Sequence, residues 1–423
     1  MDRRRFLTRT GLTVAAAALA ATTWERPTSV AALWRDQPLL DDWDAVRVQF
    51  RLTSQFIHLG GNYLASHPTP VRQAIETHRL GLDENPVHYL HEHEGWLEAE
   101  VLREASAYLG VQPTEIALTD STTMGLGLLY NGLELEPGDE LLTTTHDFFA
   151  THEALFLKAA RSGARVRQIP LYENIASVSE VEIVDSVTRA IDVATRVLAV
   201  TWVHSSTGLK LPIRGIAEAL ATINAQRDES ERVLLCVDGV HGIGVENVTM
   251  ADLGCDFFCA GTHKWLFGPR GTGIVWGTSD AWARVAPTIP SFSGGGAAGA
   301  FTPGGFHSFE HRWALAQAFQ FHQSIGKAQV ADRIHELNRQ LKQGLATMSH
   351  VTLYTPMSDA LSAGMVCFDV DGMTPAAMVA HLRSRGIIAT TTPYRPSYAR
   401  VAPGLFNNPA EIDTVLAEIR ALA

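Results

Sequence analysis

Four cysteines in 423 residues leave either buried free thiols or a disulfide, and they are wrongly spaced for a zinc cluster. They stand at 236, 255, 259 and 367, and the Cys255–Cys259 spacing has no matching second pair. Buried free thiols are the expectation. Basic residues are also short: 34 Lys and Arg against 45 Asp and Glu leave a formal charge of −11. Such a chain offers no basic face to a nucleic acid. No stretch reaches the ~20 consecutive apolar residues of a membrane helix. Internal repeats are missing, and no low-complexity tract lies beyond the N-terminal leader. What is there is length enough to bury a substantial core in about two or three domains.

The leader reads as an address. Arg3-Arg4-Arg5-Phe6-Leu7 precedes an alanine-rich apolar stretch from Leu12 to Ala21, the pattern of a twin-arginine export signal. Its apolar part is too short to cross a bilayer core of ~30 Å as a stable anchor. Residues 1–32 are therefore expected to be a signal segment, directing the protein to the periplasm or outside the cell. Unused, the signal would leave the protein in the cytoplasm. Short apolar strand patterns follow at 140–145, 164–171, 195–203, 232–237 and 257–260, with helical patterns at 152–162, 212–227 and 249–253 between them. Alternating strands and helices predict an α/β fold with a mostly parallel sheet covered on both faces. From about Ala286 the pattern changes to a Gly-rich stretch, Ser293 to Gly305, and then to helices over 310–348. Strands at 364–370 and 387–392 follow, with a helix at 375–385 between them and a closing helix at 409–422. The predicted division is a large domain over 33–290 and a smaller α+β domain over 291–423.

The residues that carry chemistry sit at strand ends. Lys264 lies in Gly261-Thr-His-Lys-Trp-Leu-Phe-Gly268, after a buried strand pattern and beside His263. A desolvated amine loses its proton more easily and suits carbonyl chemistry. Asp238 ends the strand Val233-Leu-Leu-Cys-Val-Asp238. One carboxylate for a pyridinium nitrogen and one amine for an aldehyde are what pyridoxal 5'-phosphate requires. Alone, Lys264 reads as a loop lysine and Asp238-Gly239 as a turn; it is the pair that points to the cofactor. Thr119-Asp-Ser-Thr122-Thr123 opens a helix, where hydroxyls and free N–H groups bind phosphate or simply cap the helix. Phe149, after the strand at 140–145, is the expected ring-stacking residue, with a plain core role as its competitor. Ser205, in Trp202-Val-His-Ser205, is placed to donate to the cofactor's ring hydroxyl. His91-Glu-His93-Glu94 reads as a solvated charged turn or the edge of the substrate pocket. Residues two apart share no helix face, and no third ligand is near, so no metal is expected. Gly239-Val-His-Gly-Ile-Gly244 is not a dinucleotide loop opening a helix.

Trp202-Val-His-Ser-Ser-Thr-Gly208, Asp238-Gly-Val-His241, Thr262-His-Lys264 and Phe301-Thr-Pro-Gly-Gly-Phe-His-Ser-Phe309 together resemble the class V aminotransferase superfamily of fold type I pyridoxal phosphate enzymes. The resemblance covers nearly everything from Asp42 onward and is greatest to the isopenicillin N epimerase-like branch, a relative of cysteine desulfurases and kynureninase. It implies a large domain with a mostly parallel seven-stranded sheet, a smaller α+β domain, and a homodimer with shared active sites. It also implies that Lys264 carries the cofactor's aldehyde carbon and Asp238 pairs with the ring nitrogen. His241 and Ser205 would lie near the ring oxygen, and Thr122, Thr123 and His263 at the phosphate. Gly305, in its Gly-rich run, would reach the phosphate of a neighbouring chain. Where many relatives have serine this chain has Gly261, so Thr262 is expected to supply that hydroxyl. The position of Arg400 matches the family's substrate-carboxylate arginine; its bland alternative is a surface pair with Glu411.

The stretch Ala389 to Tyr398 holds no cysteine where desulfurases carry their sulfur acceptor. Persulfide transfer is therefore not expected. The implied activity is on an amino acid or peptide-like substrate, with Lys264 removing the α-proton. Epimerase-like or lyase chemistry ranks ahead of transamination, and an exported protein that only binds the cofactor is the non-enzymatic alternative. Fold and cofactor alone do not choose the reaction.

Overall fold

Seven strands lie at the centre of this computed structural model, which describes residues 42–293 and 296–423. The leader read over 1–32 lies outside the described residues. In chain order the strands are β1 Ile116–Thr119, β2 Glu140–Thr144, β3 Arg165–Ile169, β4 Thr195–Thr201, β5 Leu234–Asp238, β6 Phe257–Gly261 and β7 Gly273–Gly277. They lie side by side as β1-β7-β6-β5-β4-β2-β3. β7 runs antiparallel to β1 and β6, and every other pair is parallel.

The composition of the central strands follows from this placement. Val197 and Ala199 enter the core under the helices Thr122–Gly132 and Phe149–Ser162. Leu198 and Val200 enter the opposite core, with Ile183, Val187, Ile216 and Leu220 from the helices Glu180–Ala190 and Ile213–Asn224. Alternate side chains point to opposite faces, and both faces are dry. Residues 197–200 of the strand therefore read as an unbroken apolar run, as expected of a covered parallel sheet.

The helices Thr69–Glu84 and Pro86–Leu109 pack against Leu315–Ile325, and the second of them corrects one expectation. His91 to Glu94 is not a turn and does not border the cleft; it lies inside Pro86–Leu109. His91, Glu92 and Glu94 face solvent, while His93 is buried and stacks on Tyr89 at 4.0 Å. Charged residues on the wet face of a long helix hid its one buried histidine. No metal-binding cluster occurs among the described residues, and none of their helices is long and apolar enough to cross a membrane. All four cysteines are free and buried, as expected.

A second, antiparallel sheet has the order Thr390–Thr391, Ala399–Val401, Val366–Val370, Val351–Leu353. It shares one core with the helices Lys327–Ala346, Pro375–Ser384 and Pro409–Arg420, through Leu337, Leu341, Phe368, Leu382, Ile412 and Val415. Ile57–His58 pairs with Ile387–Ile388, and Gly60 bridges to Ala402. The chain just beyond, at Asn62 to Leu64, is thereby carried to the mouth of the large sheet's cleft.

Strand order reverses between β2 and β4, because β2 leads outward to β3 and the chain then returns to β4. Ligands bind at such switch points, beyond the carboxyl ends of the strands. One buried carboxylate fastens this crevice. Asp147 accepts from Thr143 Oγ1 at 2.7 Å, Thr144 N at 2.8 Å and Thr201 N at 2.6 Å, tying the end of β2 to the end of β4. Asp147→Ala would strand these donors in a dry interior, at a cost of roughly 2–4 kcal/mol. Urea unfolding should show that loss, and a variant within about 0.5 kcal/mol of wild type would deny the role.

Candidate active site

The carboxyl ends of β4, β5 and β6 open into a cleft of about 420 Å³. Thr201 and Ser205 come from the end of β4, Asp238, Val240 and His241 from β5, and His263 and Lys264 from β6. The second sheet adds Arg400 and Pro393, and the N-terminal segment adds Asn62, Tyr63 and Leu64. Local sterics hold the floor in place. A Cβ at Gly239 would sit 1.9 Å from Phe258, and one at Gly242 would sit 2.0 Å from Trp202. Only glycine lets the turn after Asp238 pass that closely.

Asp238 is 2% exposed, and its Oδ1 accepts from Val240 N at 3.1 Å. Burial raises its carboxyl to about 6, while the Val240 N–H and the charge on Lys264 pull it back. Burial lowers the Lys264 amine to about 8; Asp238 opposes that shift and Arg400 adds to it. Lys264 Nζ lies 3.3 Å from His241 Nε2. Burial drives His241 well below the ordinary imidazole range, helped by Lys264, Arg400 and His263, so its ring is neutral. His263 is lowered by burial as well, and its Nδ1 is buried with no partner among the described residues.

Arg400 is 3% exposed and faces no carboxylate among the described residues. Its Nη1 donates to Ser205 O at 2.7 Å and its Nε to Thr390 Oγ1 at 3.0 Å. With the Asn62 amide turned oxygen-inward, Asn62 Oδ1 accepts from Nη2 at 3.2 Å and Nε at 3.1 Å. The surface pair with Glu411 does not form, because Glu411 binds Arg47. Of the guanidinium's five N–H donors, three, one each on Nε, Nη1 and Nη2, serve these oxygens, and the remainder are free to meet a carboxylate.

Lys264, Asp238, His241, Ser205, His263 and Arg400 thus come together from distant parts of the chain. Two expectations fail. Phe149 is 61% exposed and does not line the cleft; Phe148 does. Phe148 is the extended residue that caps the helix Phe149–Ser162, so its ring stays at the strand end, while Phe149 has already turned onto the helix surface. Thr262 also points the wrong way. Its hydroxyl, in the bend just past the end of β6, is buried against Thr272, 3.1 Å from the carbonyl and 2.5 Å from the hydroxyl. Thr122 opens the helix Thr122–Gly132 and accepts from Gly261 N at 2.7 Å. A Cβ at Gly261 would sit 2.9 Å from that Thr122 hydroxyl, which accounts for glycine there. Thr123 is exposed on the same first turn, and Gly305 lies away from this cleft with φ 114°.

Sequence reasoning missed Asn62, Tyr63, Asp147, Phe148 and Tyr394. Tyr394 lies on the loop after Thr390–Thr391, with its hydroxyl 2.9 Å from Ser205 Oγ and its ring edge-on to Phe148 at 6.1 Å. A strand end followed by Asp-Phe and a helix could have pointed to Phe148, because the residue before the helix is the one left at the strand mouth. Nothing local marks the others.

Comparison with known proteins agrees with this architecture. Isopenicillin N epimerase of Amycolatopsis lactamdurans is 25% identical over 410 residues, covering 90% of this chain and 98% of that protein. A cysteine desulfurase of Pectobacterium carotovorum is 26% identical over 343 residues, covering 73% and 77%. Among solved structures, a C-DES variant with glycine covalently linked to the PLP cofactor superposes with a TM-score of 0.81 at 23% identity, covering 88% of this chain and 98% of that one. The apo cysteine desulfurase of Thermococcus onnurineus gives 0.78 at 19% identity, covering 90% and 97%. The family model described as aminotransferase class-V matches residues 68–393, and the chain belongs to that family.

Proposed function

We propose that this protein binds pyridoxal 5'-phosphate in the cleft and uses it to labilise the α-proton of an amino acid, with an epimerase-like outcome. The observation that carries the reading is the convergence of Lys264, His241, Asp238 and Arg400, with Lys264 Nζ 3.3 Å from His241 Nε2. The residues fit the group. Asp238 is a dry carboxylate, suited to hold a proton on a ring nitrogen. His263 Nδ1 lacks a partner among the described residues, and the first turn at Thr122 and Thr123 presents N–H groups and hydroxyls to an anion.

When bound, the cofactor supplies an electron sink for the α-carbon. The chain does the rest. Arg400 would orient the substrate carboxylate, and Phe148 and Ser205 would hold the cofactor's ring, the one by apolar contact and the other by a donated hydrogen bond. Lys264, neutral above about 8, takes the α-proton as general base. The epimerase relative matches nearly end to end, which favours return of the proton to the same carbon. A C–S lyase or an aminotransferase of this family is the second reading. Transfer of sulfur to a protein thiol is disfavoured, since the 389–398 loop has no cysteine and burial pushes the Cys367 thiol up to about 12.

Borohydride reduction followed by mass spectrometry should find the pyridoxyl adduct on Lys264, and Lys264→Ala should lose adduct and turnover while staying folded. An adduct on another lysine would overturn the assignment. In cofactor-free protein the amine is neutral only above its lowered pKa. Cofactor uptake should therefore rise about tenfold per pH unit below 8 and level off above it. A rate that keeps climbing to pH 10 would mean an ordinary lysine.

Arg400→Lys should lower kcat/KM for the amino acid by about 10–100-fold with the cofactor's absorption unchanged, because an ammonium cannot form two parallel bonds. Unchanged kinetics would rule out Arg400 as the anchor.

We infer further that the protein works as a homodimer, with Gly305 reaching the neighbour's cofactor phosphate. Its distance from its own cleft supports this, as do the neighbouring Phe292 and Phe306, 79% and 86% exposed. Light scattering should give twice the chain mass; a fully loaded monomer would reject it.

A further inference from the structure

The indole of Trp265 immediately follows the catalytic lysine in sequence, is 2% exposed, and is large for a position that only needs filling. Its Nε1 lies 3.2 Å from His241 Nδ1. His241 Nε2 in turn lies 3.3 Å from Lys264 Nζ. The direction of this chain is fixed by chemistry. An indole N–H only donates, so Nδ1 of His241 must be the unprotonated ring nitrogen. A neutral imidazole then carries its hydrogen on Nε2, facing the lysine. An ammonium has no lone pair to accept that hydrogen, whereas a neutral amine has one.

We propose that Trp265 is a positioning residue that locks the His241 tautomer, so that His241 donates to Lys264 and favours its neutral, nucleophilic form. The inference rests on the proposed role of Lys264 but concerns a step before the cofactor arrives, and the same donor is in place whenever the lysine is released. The charged and titratable groups facing Lys264 are Asp238 from β5, His241 from the turn after it, Arg400 from the second sheet, and His263, which burial also holds below the ordinary imidazole range. Asp238 favours the ammonium, so the Trp265–His241 chain acts against the carboxylate that the cofactor's ring nitrogen needs. Without such a device, the anion required for catalysis would hold the nucleophile protonated. The turn that presents the indole is tightly built: a Cβ on Gly244 would sit 2.7 Å from the Trp265 backbone, and one on Gly364 2.9 Å from the indole ring. The ring has little freedom to lose this contact.

The test reads the pH dependence of pyridoxal 5'-phosphate uptake by cofactor-stripped protein. In Trp265→Phe the midpoint should rise by roughly half a pH unit or more, the equivalent of one ordinary hydrogen bond. In a His241→Asn background the same substitution should leave the midpoint unchanged. An equal shift in both backgrounds, or none in either, overturns the proposal, since packing alone would act without His241. Trp265→Phe can lose stability through the space it leaves, so a second measurement uses the wild-type chain. With ¹⁵N-labelled histidine, and the His241 signal assigned by its loss in His241→Asn, NMR should show the hydrogen on Nε2; finding it on Nδ1 overturns the proposal. Failure of the wild-type protein to take up the cofactor would instead overturn the proposed function, leaving the tautomer measurement to decide the Trp265 contact.

Discussion

A carboxyl and an amine share a nearly dry cleft floor, and most of the site can be understood from that constraint. Burial disfavours the charge on each, raising Asp238 to about 6 and lowering Lys264 to about 8. In water both would be ionised at neutral pH, and the lysine would be no nucleophile. The surrounding residues manage the conflict. Val240 N–H supports the anion, the neutral His241 faces the amine, and Arg400 is held away from carboxylates by neutral oxygens.

The scaffold's task is to hold these groups still while leaving the cleft open to solvent on one side. Asp147 fastens the switch point with three donors from two strands. The second sheet clamps the same region from the other side, because Ser205 takes Tyr394 on its hydroxyl and Arg400 on its carbonyl. One residue at the end of β4 thus joins the large sheet to the C-terminal sheet. The loop over 389–398 holds no cysteine, and Tyr394 on it is anchored at the cleft by the Ser205 hydroxyl.

Much was legible in the sequence. The apolar runs at 197–200, 233–237 and 257–260 announced a covered parallel sheet, because such strands have no wet face to mark with polar residues. Asp238 and Lys264 stood out because each follows such a run, and strand ends are where this architecture places chemistry. β1 and β7 were not read as strands, since each is short and follows a turn, β1 after Pro113–Glu115 and β7 after the glycines at 268 and 271. The helix Pro86–Leu109 was hidden by its charged, solvent-facing side.

What the sequence determined by itself was the class of fold and the placement of Asp238 and Lys264 at strand ends, both encoded in short local patterns. Only the tertiary structure decided which side chains share the cleft with them. Phe148 rather than Phe149 faces inward because helix initiation turns the chain between the two. Thr262 points away because Thr272, just before β7, holds its hydroxyl. Asn62 and Tyr394 reach the site only because two chain segments more than three hundred residues apart pair at Ile57–His58 and Ile387–Ile388. Contacts of that range leave no periodicity in the sequence, so their outcome appears only when the core has closed around them.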